Sequence, residues 1–480
     1  MTRTEKKRLF KMPDGYLPLV IFCCIHFIVW SLIPLLRRTL THDTLEAILW
    51  GKLNDWGTNK HPPLSGWLAD AFYTIGFGHD IGLYILNQVL ILIGFIYIFK
   101  LARLFLDVPK ATLAVLLLEG VGRYSRTSFE FTNNMVCLAL WPMMAYYVYK
   151  SVKEEGLKNW IWLGISIGLN LLNKYMSGVL LICMGLYFLA VPQGRKQLKK
   201  PGLYIAALIA LVIFLPHLVW LYQTNGFSLH YFVGDRLTSE NDYGNWGRLI
   251  YPARFVLEIL LLAVPTIAAF AFIRFKAEKE KKPVRKGDAL FLLSMGILPL
   301  LLYASIGFYS GNDVKITWGF PLYYMLGILL FYFFPFKLNK RLFKRGMMIA
   351  YLLMAAMAVD RVIAFSKSTH YNTSINKSRF LPQMEAIWDE QTGRQPMRYV
   401  RGNLLFTGYL TLHGRDKPIN IMKTWGFPNP WIDEEDIRSS YILEISKEPT
   451  DGYDSFIIEI SSLTGKTVPF TVFYKITKGL

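Results

Sequence analysis

The sequence predicts a mainly α-helical, polytopic membrane protein with about 11 transmembrane helices and a small soluble C-terminal α/β domain. Apolar residues make up 53% of the 480 residues and charged residues only 18%, whereas soluble proteins carry about a quarter charged residues. The apolar residues form runs close to the ~20 residues that cross a bilayer as a helix. Basic residues are concentrated in alternate connections, which is typical of membrane topology.

Eleven apolar segments can be placed along the chain, separated by polar connections. They lie at approximately 16–36, 81–104, 109–122, 134–150, 158–173, 177–193, 202–222, 250–273, 288–309, 316–336 and 346–365. The third and fifth are short for a membrane span. No small-residue cleavage site follows the basic stretch 1–11, so we expect an uncleaved first span rather than a signal peptide.

The distribution of charge predicts the orientation. One set of connections holds 27 lysines and arginines and the other set holds ten. Because basic loops stay in the cytoplasm, the N-terminus is predicted to be cytoplasmic and the C-terminal tail to be outside. The net charge of +19 then reflects these loops rather than nucleic-acid binding. All four cysteines fall in apolar segments, so the sequence predicts neither an extracytoplasmic disulfide nor a cysteine metal site.

The chain changes character after the last apolar segment. Residues 366–480 contain no run long enough to span a membrane, but they contain strand-like alternations at Tyr399–Phe406, Ser455–Ile460 and Val468–Ile476. We therefore predict a transmembrane module over 1–365 and an extracytoplasmic soluble α/β domain after it. A stabilising role for this domain is the simpler interpretation, compared with a catalytic one.

The outer-face loop at 37–80 contains the first candidate for chemistry. Asp43 and Glu46 are three residues apart and share one face of a helix. Such a pair can act as a general base with a helper, or bind a cation. The alternative is an amphipathic helix lying in the membrane interface, with its acids in water and its apolar side chains in lipid. Those apolar side chains are Leu45, Ile48, Leu49 and Trp50.

A second polar stretch on the outer face precedes the segment that starts at 134. Glu130 or Asn134 is a candidate to face Asp43 across a cavity. The alternative is that this stretch only begins a span, with Thr132 or Asn133 as the helix cap.

Two cations on the same face, Lys174 and Arg236, are candidates for binding a phosphate or pyrophosphate. Lysine acts as a point charge, and arginine can grip a phosphate through two hydrogen bonds. The alternative for Lys174 is a side chain that extends from the membrane boundary to water.

Several motifs occur in a fixed order along the chain. The first loop contains Asp43-x-x-Glu-Ala-x-x-Trp50, Asp55-Trp-Gly57 and His61-Pro-Pro-Leu-x-x-Trp67; later come Phe131-Thr-Asn-Asn134, Leu140-Trp-Pro142, Asn173-Lys-Tyr175, Pro216-His-Leu-Val-Trp220 and Trp318-Gly-Phe-Pro321. Over roughly 15–365 this ordered set resembles the GT-C glycosyltransferases of the protein O-mannosyltransferase type. The bacterial members that include the lipid A aminoarabinose transferase are the closest in kind.

The resemblance implies a GT-C fold in a bacterial inner membrane, with chemistry on the periplasmic face. It implies an inverting transfer from a polyprenyl-phosphate sugar to a glycolipid or glycan acceptor, such as lipid A or lipopolysaccharide. Neither a nucleotide sugar nor another cofactor is implied, and a divalent metal stays possible.

The resemblance also assigns roles to residues. Asp43 occupies the position of the catalytic base. The family's second acid is expected where this chain has Asn134, which puts a two-acid or metal-bridging site in doubt and leaves Glu46 or Glu130 to compensate. A lysine of the lipid A enzyme is replaced by His61, which would contact phosphate together with Lys60. Lys174, Tyr175 and Arg236 complete the predicted substrate-binding set.

Three other functions stay open at this stage. A flippase or transporter of lipid-linked sugars would show ionisable residues within the spans, and Glu258 is the clearest such acid. A ligase or phosphotransferase acting on a lipid carrier also fits outer-face chemistry. A non-catalytic membrane scaffold is the third alternative.

Overall fold

The computed structural model describes residues 16–231, 244–281, 283–423 and 429–479. It is mostly helical with one small sheet near the C-terminus, as the sequence predicts. The helices before the sheet are α1 (Tyr16–Leu32), α2 (His42–Lys52), α3 (Leu64–Ile75), α4 (Ile81–Ala102), α5 (Val108–Leu116), α6 (Asn133–Lys153), α7 (Lys158–Asn173), α8 (Gly178–Ala190), α9 (Pro192–Gln197), α10 (Pro201–Gln223), α11 (Phe227–Tyr231), α12 (Gly247–Arg274), α13 (Lys286–Gly296), α14 (Leu298–Ser310), α15 (Leu326–Phe333) and α16 (Lys340–Lys367).

Each of the eleven apolar segments contains helix, but fewer are long apolar rods. In the described part of the chain, six helical stretches are long and apolar enough to cross a membrane, or seven if the bent pair α13–α14 is one span. The six are Tyr16–Leu36, Ile81–Ala102, Pro201–Gln223, Gly247–Arg274, Ile316–Phe333 and Lys340–Lys367. The expected count of eleven is therefore not confirmed.

Features of the individual segments explain why fewer than eleven are both long and apolar enough to span a membrane. Helix α5 ends at Leu116, and the chain continues as a tighter 3-10 turn to Gly120. Helix α6 has the length of a span, and most of its side chains are buried among other helices rather than left open to lipid. Such an enclosed helix tolerates polar residues, so its hydropathy is low.

Helices α2 and α3 form a pair on the predicted outer side of the first span. They cross closely at Gly51, where an added Cβ would lie 2.3 Å from the carbonyl oxygen of Gly66. The apolar side chains of α2 are buried in the protein core: Leu45, Ile48, Leu49 and Trp50 are each at most 6% exposed. The interpretation that placed this face in lipid is therefore wrong, because the face packs against protein.

The C-terminal α/β region (residues 371–479) contains a five-stranded mixed sheet with the order β2-β1-β3-β5-β4. Its elements are α17 (Tyr371–Ser374), α18 (Lys377–Thr392), β1 (Tyr399–Gly402), α19 (Leu404–His413), β2 (Ile419–Asn420), α20 (Glu434–Ser439), β3 (Tyr441–Ser446), β4 (Asp454–Ser461) and β5 (Thr467–Lys478). Strand β1 runs parallel to β2 and β3, whereas β5 pairs antiparallel with both β3 and β4.

Two of the three predicted strands, β4 and β5, are confirmed, and the third is only half correct. The predicted strand at Tyr399–Phe406 ends at Gly402, whose φ of +107° is a conformation that favours glycine. Asn403 then caps α19 by accepting a hydrogen bond from the Leu405 N–H.

The C-terminal α/β region contacts the outer-face loop directly. The Tyr409 hydroxyl accepts a hydrogen bond of 2.7 Å from the Leu40 N–H, and Lys377 forms a 3.1 Å ion pair with Asp80. These contacts place the region over the same loop that carries Asp43.

Candidate active site

Helix α2 directs two carboxylates into a cavity on the opposite side from its packed leucines. Asp43 and Glu46 lie one turn apart, and Trp50 follows along the same face. The cavity has a volume of about 190 Å³ and is called the polar cavity below. Six separate parts of the chain line it, through Asp43, Glu46, Trp50, Lys60, His61, Thr132, Asn133, Asn134, Lys174, Tyr175, Met176, Tyr231, Thr317 and Trp318.

Asp43 is held in its ionised form. Its Oδ1 lies 3.4 Å from Nδ1 of His42, and both side chains are about half exposed. A hydrogen bond from His42 lowers the pKa of Asp43 below its usual value; burial opposes this, and the charges of Lys60 and Arg123 add to it. Asp43 is therefore a carboxylate at neutral pH, able to accept a proton or to orient a hydroxyl.

Glu46 forms an ion pair with Lys60 across the cavity wall. The Lys60 Nζ lies 2.6 Å from Glu46 Oε1, and both side chains are largely buried. Burial disfavours the charged form of Lys60, but the adjacent Glu46 carboxylate outweighs it, so the pKa of Lys60 is raised. The pair therefore keeps a cation at the cavity, while Glu46 is occupied as its partner.

Asn134 and Lys174 meet in the lining of the same cavity. The Lys174 Nζ donates a hydrogen bond of 2.5 Å to Asn134 Oδ1, and both residues are buried at 6% exposure. Thr132 caps α6 by accepting from the Asn134 N–H, which confirms the predicted cap at this position. A second contact, from Asn173 Nδ2 to the Asn133 carbonyl, joins the end of α7 to the start of α6. Lys174 is thus enclosed in protein and does not extend along the membrane boundary.

A turn presents His61 to the same cavity. The Thr58 hydroxyl accepts hydrogen bonds from the backbone N–H groups of Lys60 and His61, at 3.2 and 2.9 Å. The His61 ring then packs edge-on between Trp50 and Tyr231, with centroid distances of 5.5 and 5.7 Å. The predicted pairing of Lys60 and His61 is therefore realised as one turn that projects both side chains inward.

One predicted residue within the described ranges, Glu130, does not belong to this lining. Glu130 pairs with Arg123 at 3.0 Å and is not among the residues around the polar cavity. The expectation that Glu130 faces Asp43 is therefore not met, because the buried Arg123 guanidinium holds its carboxylate. Arg236 lies outside the described residues.

Within the described ranges, one group of side chains that includes Asp43 could bind a metal ion. Ligand atoms of His42, Asp43 and Glu46 all lie within 4.8 Å of one another. His42 does not line the polar cavity, and Glu46 is already paired with Lys60. This donor set is partly committed to other contacts.

A larger cavity, of about 1280 Å³, lies on the other side of α2. Leu49, Lys52 and Leu53 line it together with residues of the C-terminal α/β region. Asp43 and Glu46 do not line it. The candidate active site is therefore the smaller polar cavity, where Asp43 and Glu46 meet Lys60 and Lys174.

The structure adds cavity residues that sequence reasoning did not select. Trp50 and Trp318 stand inside the quoted motifs, so their motif positions were a usable signal. Tyr231 and Thr317 carried no such signal, because only the folded chain brings them to the cavity.

A family model described as dolichyl-phosphate-mannose-protein mannosyltransferase (PMT) matches residues 60–220. The chain is also 26% identical, over 281 residues, to the lipopolysaccharide core galacturonosyltransferase RgtB of Rhizobium johnstonii. Residues 60–220 are thus similar to the PMT family of mannosyltransferases. The family match includes Lys60, His61, Asn134, Lys174 and Tyr175.

A second relative and a solved structure extend the likeness. The related core galacturonosyltransferase RgtA of the same organism is 23% identical over 190 residues. The matches cover 56% and 39% of this chain, and 55% and 38% of RgtB and RgtA, so they span about half or less of those relatives. The crystal structure of ArnT from Cupriavidus metallidurans bound to undecaprenyl phosphate has the same fold, with a TM-score of 0.62 and 13% identity. That match covers 95% of this chain and 97% of ArnT.

The contact between His42 and Asp43 predicts a pH effect. We expect His42→Ala to shift the acid limb of the pH profile for glycosyl transfer to higher pH. A carboxyl group serves as a base only in its carboxylate form, so activity that depends on Asp43 falls as pH falls through its pKa. Without the His42 hydrogen bond that pKa rises. The measurement is kcat/KM against pH. His79→Ala, which changes a histidine outside the polar cavity, should leave the limb in place. An unshifted limb in His42→Ala would remove His42 from control of Asp43.

Proposed function

We propose that the protein moves a sugar from a polyprenyl-phosphate donor to an envelope glycan on the periplasmic face of a bacterial inner membrane. The observation that carries the proposal is that Asp43, ionised, lines one cavity with the cations of Lys60 and Lys174. Such a cavity supplies both a base for the acceptor and charge for a leaving phosphate.

The chemistry follows from these two ends of the cavity. An acceptor hydroxyl attacks the anomeric carbon on the face opposite the phosphate, and Asp43 takes its proton. The bond between the anomeric carbon and the phosphate oxygen breaks, which inverts the configuration and leaves the phosphate on the polyprenyl chain. No oxidant, nucleotide or other cofactor enters this balance.

The cations are assigned to the leaving phosphate. Lys174 is buried and held by Asn134, so its ammonium group has a fixed position. A fixed charge stabilises a developing negative charge without reorganisation during the reaction. Lys60 and His61 also line this cavity. Arg236 remains a phosphate contact predicted from the sequence alone. Asn134 can orient a hydroxyl but cannot act as a second base.

The relatives indicate which sugar and acceptor to test first. RgtA and RgtB are named as galacturonosyltransferases of the lipopolysaccharide core. We therefore take a uronic acid as the first donor sugar to test and a lipopolysaccharide core as the first acceptor. A cavity lined by Lys60 and Lys174 suits a sugar that carries its own carboxylate in addition to the donor phosphate.

The membrane arrangement belongs to the same proposal. All eleven helical segments are taken as crossings, with the shorter ones packed inside the bundle, and the N-terminus is placed in the cytoplasm. The C-terminal α/β region then lies on the periplasmic side. Its contacts with Leu40 and Asp80 place it against the loop that carries Asp43.

Transport of a lipid-linked sugar is the second candidate function. Glu119 is fully buried, faces His26 Nδ1 at 2.8 Å and accepts a hydrogen bond from Trp30. Ionisable residues buried between membrane helices often mark ion or proton paths. The product separates the two functions, because transport leaves the sugar–phosphate bond of the donor intact.

Removing the base should abolish most of the reaction. We expect Asp43→Asn to lower the rate of sugar transfer about 10²- to 10⁴-fold, because an amide cannot take the proton. The assay is formation of glycosylated acceptor by the full-length protein in lipid nanodiscs. Asp70→Asn is the matched control, since Asp70 pairs with Lys52 and does not line the polar cavity. Transfer by Asp43→Asn at the wild-type rate would contradict the role of Asp43.

Removing the buried cation should weaken use of the donor. We expect Lys174→Ala to raise the KM for the lipid-phosphate sugar roughly ten- to a hundredfold, the range for losing a hydrogen bond to a charged group. Lys158→Ala, at the exposed start of α7, is the control from the opposite end of the same helix. An unchanged donor KM in Lys174→Ala would exclude Lys174 from the phosphate site.

A further inference from the structure

The Asp55 carboxylate receives hydrogen bonds from two tryptophans that are far apart in sequence. Its Oδ2 accepts from the indole N–H of Trp220 in α10 at 2.8 Å and from that of Trp431 in the C-terminal α/β region at 3.0 Å. The two indole rings are stacked, with an interplanar angle of 16°. One carboxylate in the outer-face loop thus joins a membrane helix to the C-terminal region.

A glycine next to this junction, Gly57, leaves room for the Trp220 ring. An added Cβ at Gly57 would lie 2.2 Å from the Cζ3 atom of Trp220, so any larger residue would displace the ring. The Trp56 backbone N–H also donates to Asp55 Oδ1 at 2.7 Å. Both oxygens of the Asp55 carboxylate therefore act as acceptors, and the backbone at Trp56 is fixed relative to the two indoles.

A directed chain of hydrogen bonds leads from this backbone to the polar cavity. The Trp56 carbonyl lies 2.6 Å from His217 Nδ1, and the Tyr175 hydroxyl lies 2.8 Å from His217 Nε2. A carbonyl can only accept, so Nδ1 carries the proton. In neutral His217, Nε2 therefore accepts from the Tyr175 hydroxyl, whose oxygen accepts from Ser228. His217 and Ser228 are fully buried, and Tyr175 lines the polar cavity next to Lys174.

We propose that Asp55 and His217 are positioning residues that set Tyr175 at the polar cavity, and that Trp431 makes this setting depend on the docked C-terminal region. Trp431 and Asp55 do not line the cavity, so their effect on the reaction passes through other residues. The inference rests on the proposed function, because it assigns Tyr175 and Lys174 to the donor end of the site. It gives the C-terminal region a role in donor binding beyond stabilisation.

The test compares two Trp→Phe variants of the C-terminal region. Trp431→Phe keeps a ring for stacking but removes the N–H that reaches Asp55. Trp388→Phe removes an indole N–H that donates to the Gln395 carbonyl within the same region, with no link to the cavity. The measurements on full-length protein in nanodiscs are the Kd for undecaprenyl phosphate, the KM and kcat for sugar transfer, and the melting temperature.

We expect Trp431→Phe and Asp55→Asn to raise the Kd and the donor KM roughly tenfold, as for the loss of one hydrogen bond. An amide cannot accept at both positions used by the Asp55 carboxylate, so Asp55→Asn breaks the same junction. The kcat should change less than the KM, and Trp388→Phe should leave both constants unchanged even where its melting temperature falls. Equal constants in Trp431→Phe and Trp388→Phe would overturn the proposal.

A double-mutant cycle tests the route through Tyr175. Tyr175→Phe removes the hydroxyl that His217 holds, so adding Trp431→Phe to it should cause no further rise in the Kd. Independent, additive effects of the two substitutions would contradict this route.

Wild-type protein that neither binds undecaprenyl phosphate nor transfers sugar would contradict the proposed function itself, and the inference with it. Wild-type binding with no effect of Trp431→Phe would contradict the inference alone.

Discussion

The burial of one face of helix α2 is the constraint on which the candidate site depends. Leu45, Ile48 and Leu49 are sealed in the core, so the helix has one stable rotation about its axis. That rotation points Asp43 and Glu46 away from the core and into the polar cavity. Rotating the helix to move the acids would expose three large apolar side chains, at about 1.5–3 kcal/mol each. The apolar face thus determines where the chemistry is located.

The polar cavity contains both acidic and basic side chains, and they differ in how they are paired. Glu46 is paired with Lys60 at 2.6 Å, whereas the contact of Asp43 with half-exposed His42 is longer, at 3.4 Å. The second acid expected from the family resemblance is replaced by Asn134, and this amide accepts from Lys174. An aspartate there would form a buried ion pair with Lys174 and reduce its effective charge toward a phosphate. Asn134 gives Lys174 a neutral partner at this position, which is consistent with a site that acts on an anionic donor.

The sequence predicts well those features that depend on local composition. Apolar runs identify the helical segments, and the ordered motifs place Asp43, Lys60, His61, Asn134 and Lys174, all of which line one cavity. Features that depend on the partner of a side chain were not predictable. For example, the sequence made Glu130 a candidate to face Asp43, but in the structure Glu130 forms an ion pair with Arg123.

Long-range packing explains the other differences between sequence and structure. The count of eleven membrane spans is not confirmed, because an apolar run does not reveal whether lipid or protein surrounds it, as the enclosed helix α6 illustrates. The junction of Asp55, Trp220 and Trp431 also joins residues that are separated by up to 376 positions. No periodicity in the sequence reports such a meeting. Gly57 is part of a motif found in the sequence, but the reason for a glycine there is visible only in the structure, where the Trp220 ring leaves no room for a side chain.

Transfer of a sugar to an envelope glycan by this membrane protein can be examined directly in cells. Mass spectrometry can compare the envelope glycolipids of cells that lack the protein with those of the same cells after the gene is restored. We expect a glycolipid that is heavier by one sugar residue only when the protein is present. Identical glycolipid masses in both strains would contradict it.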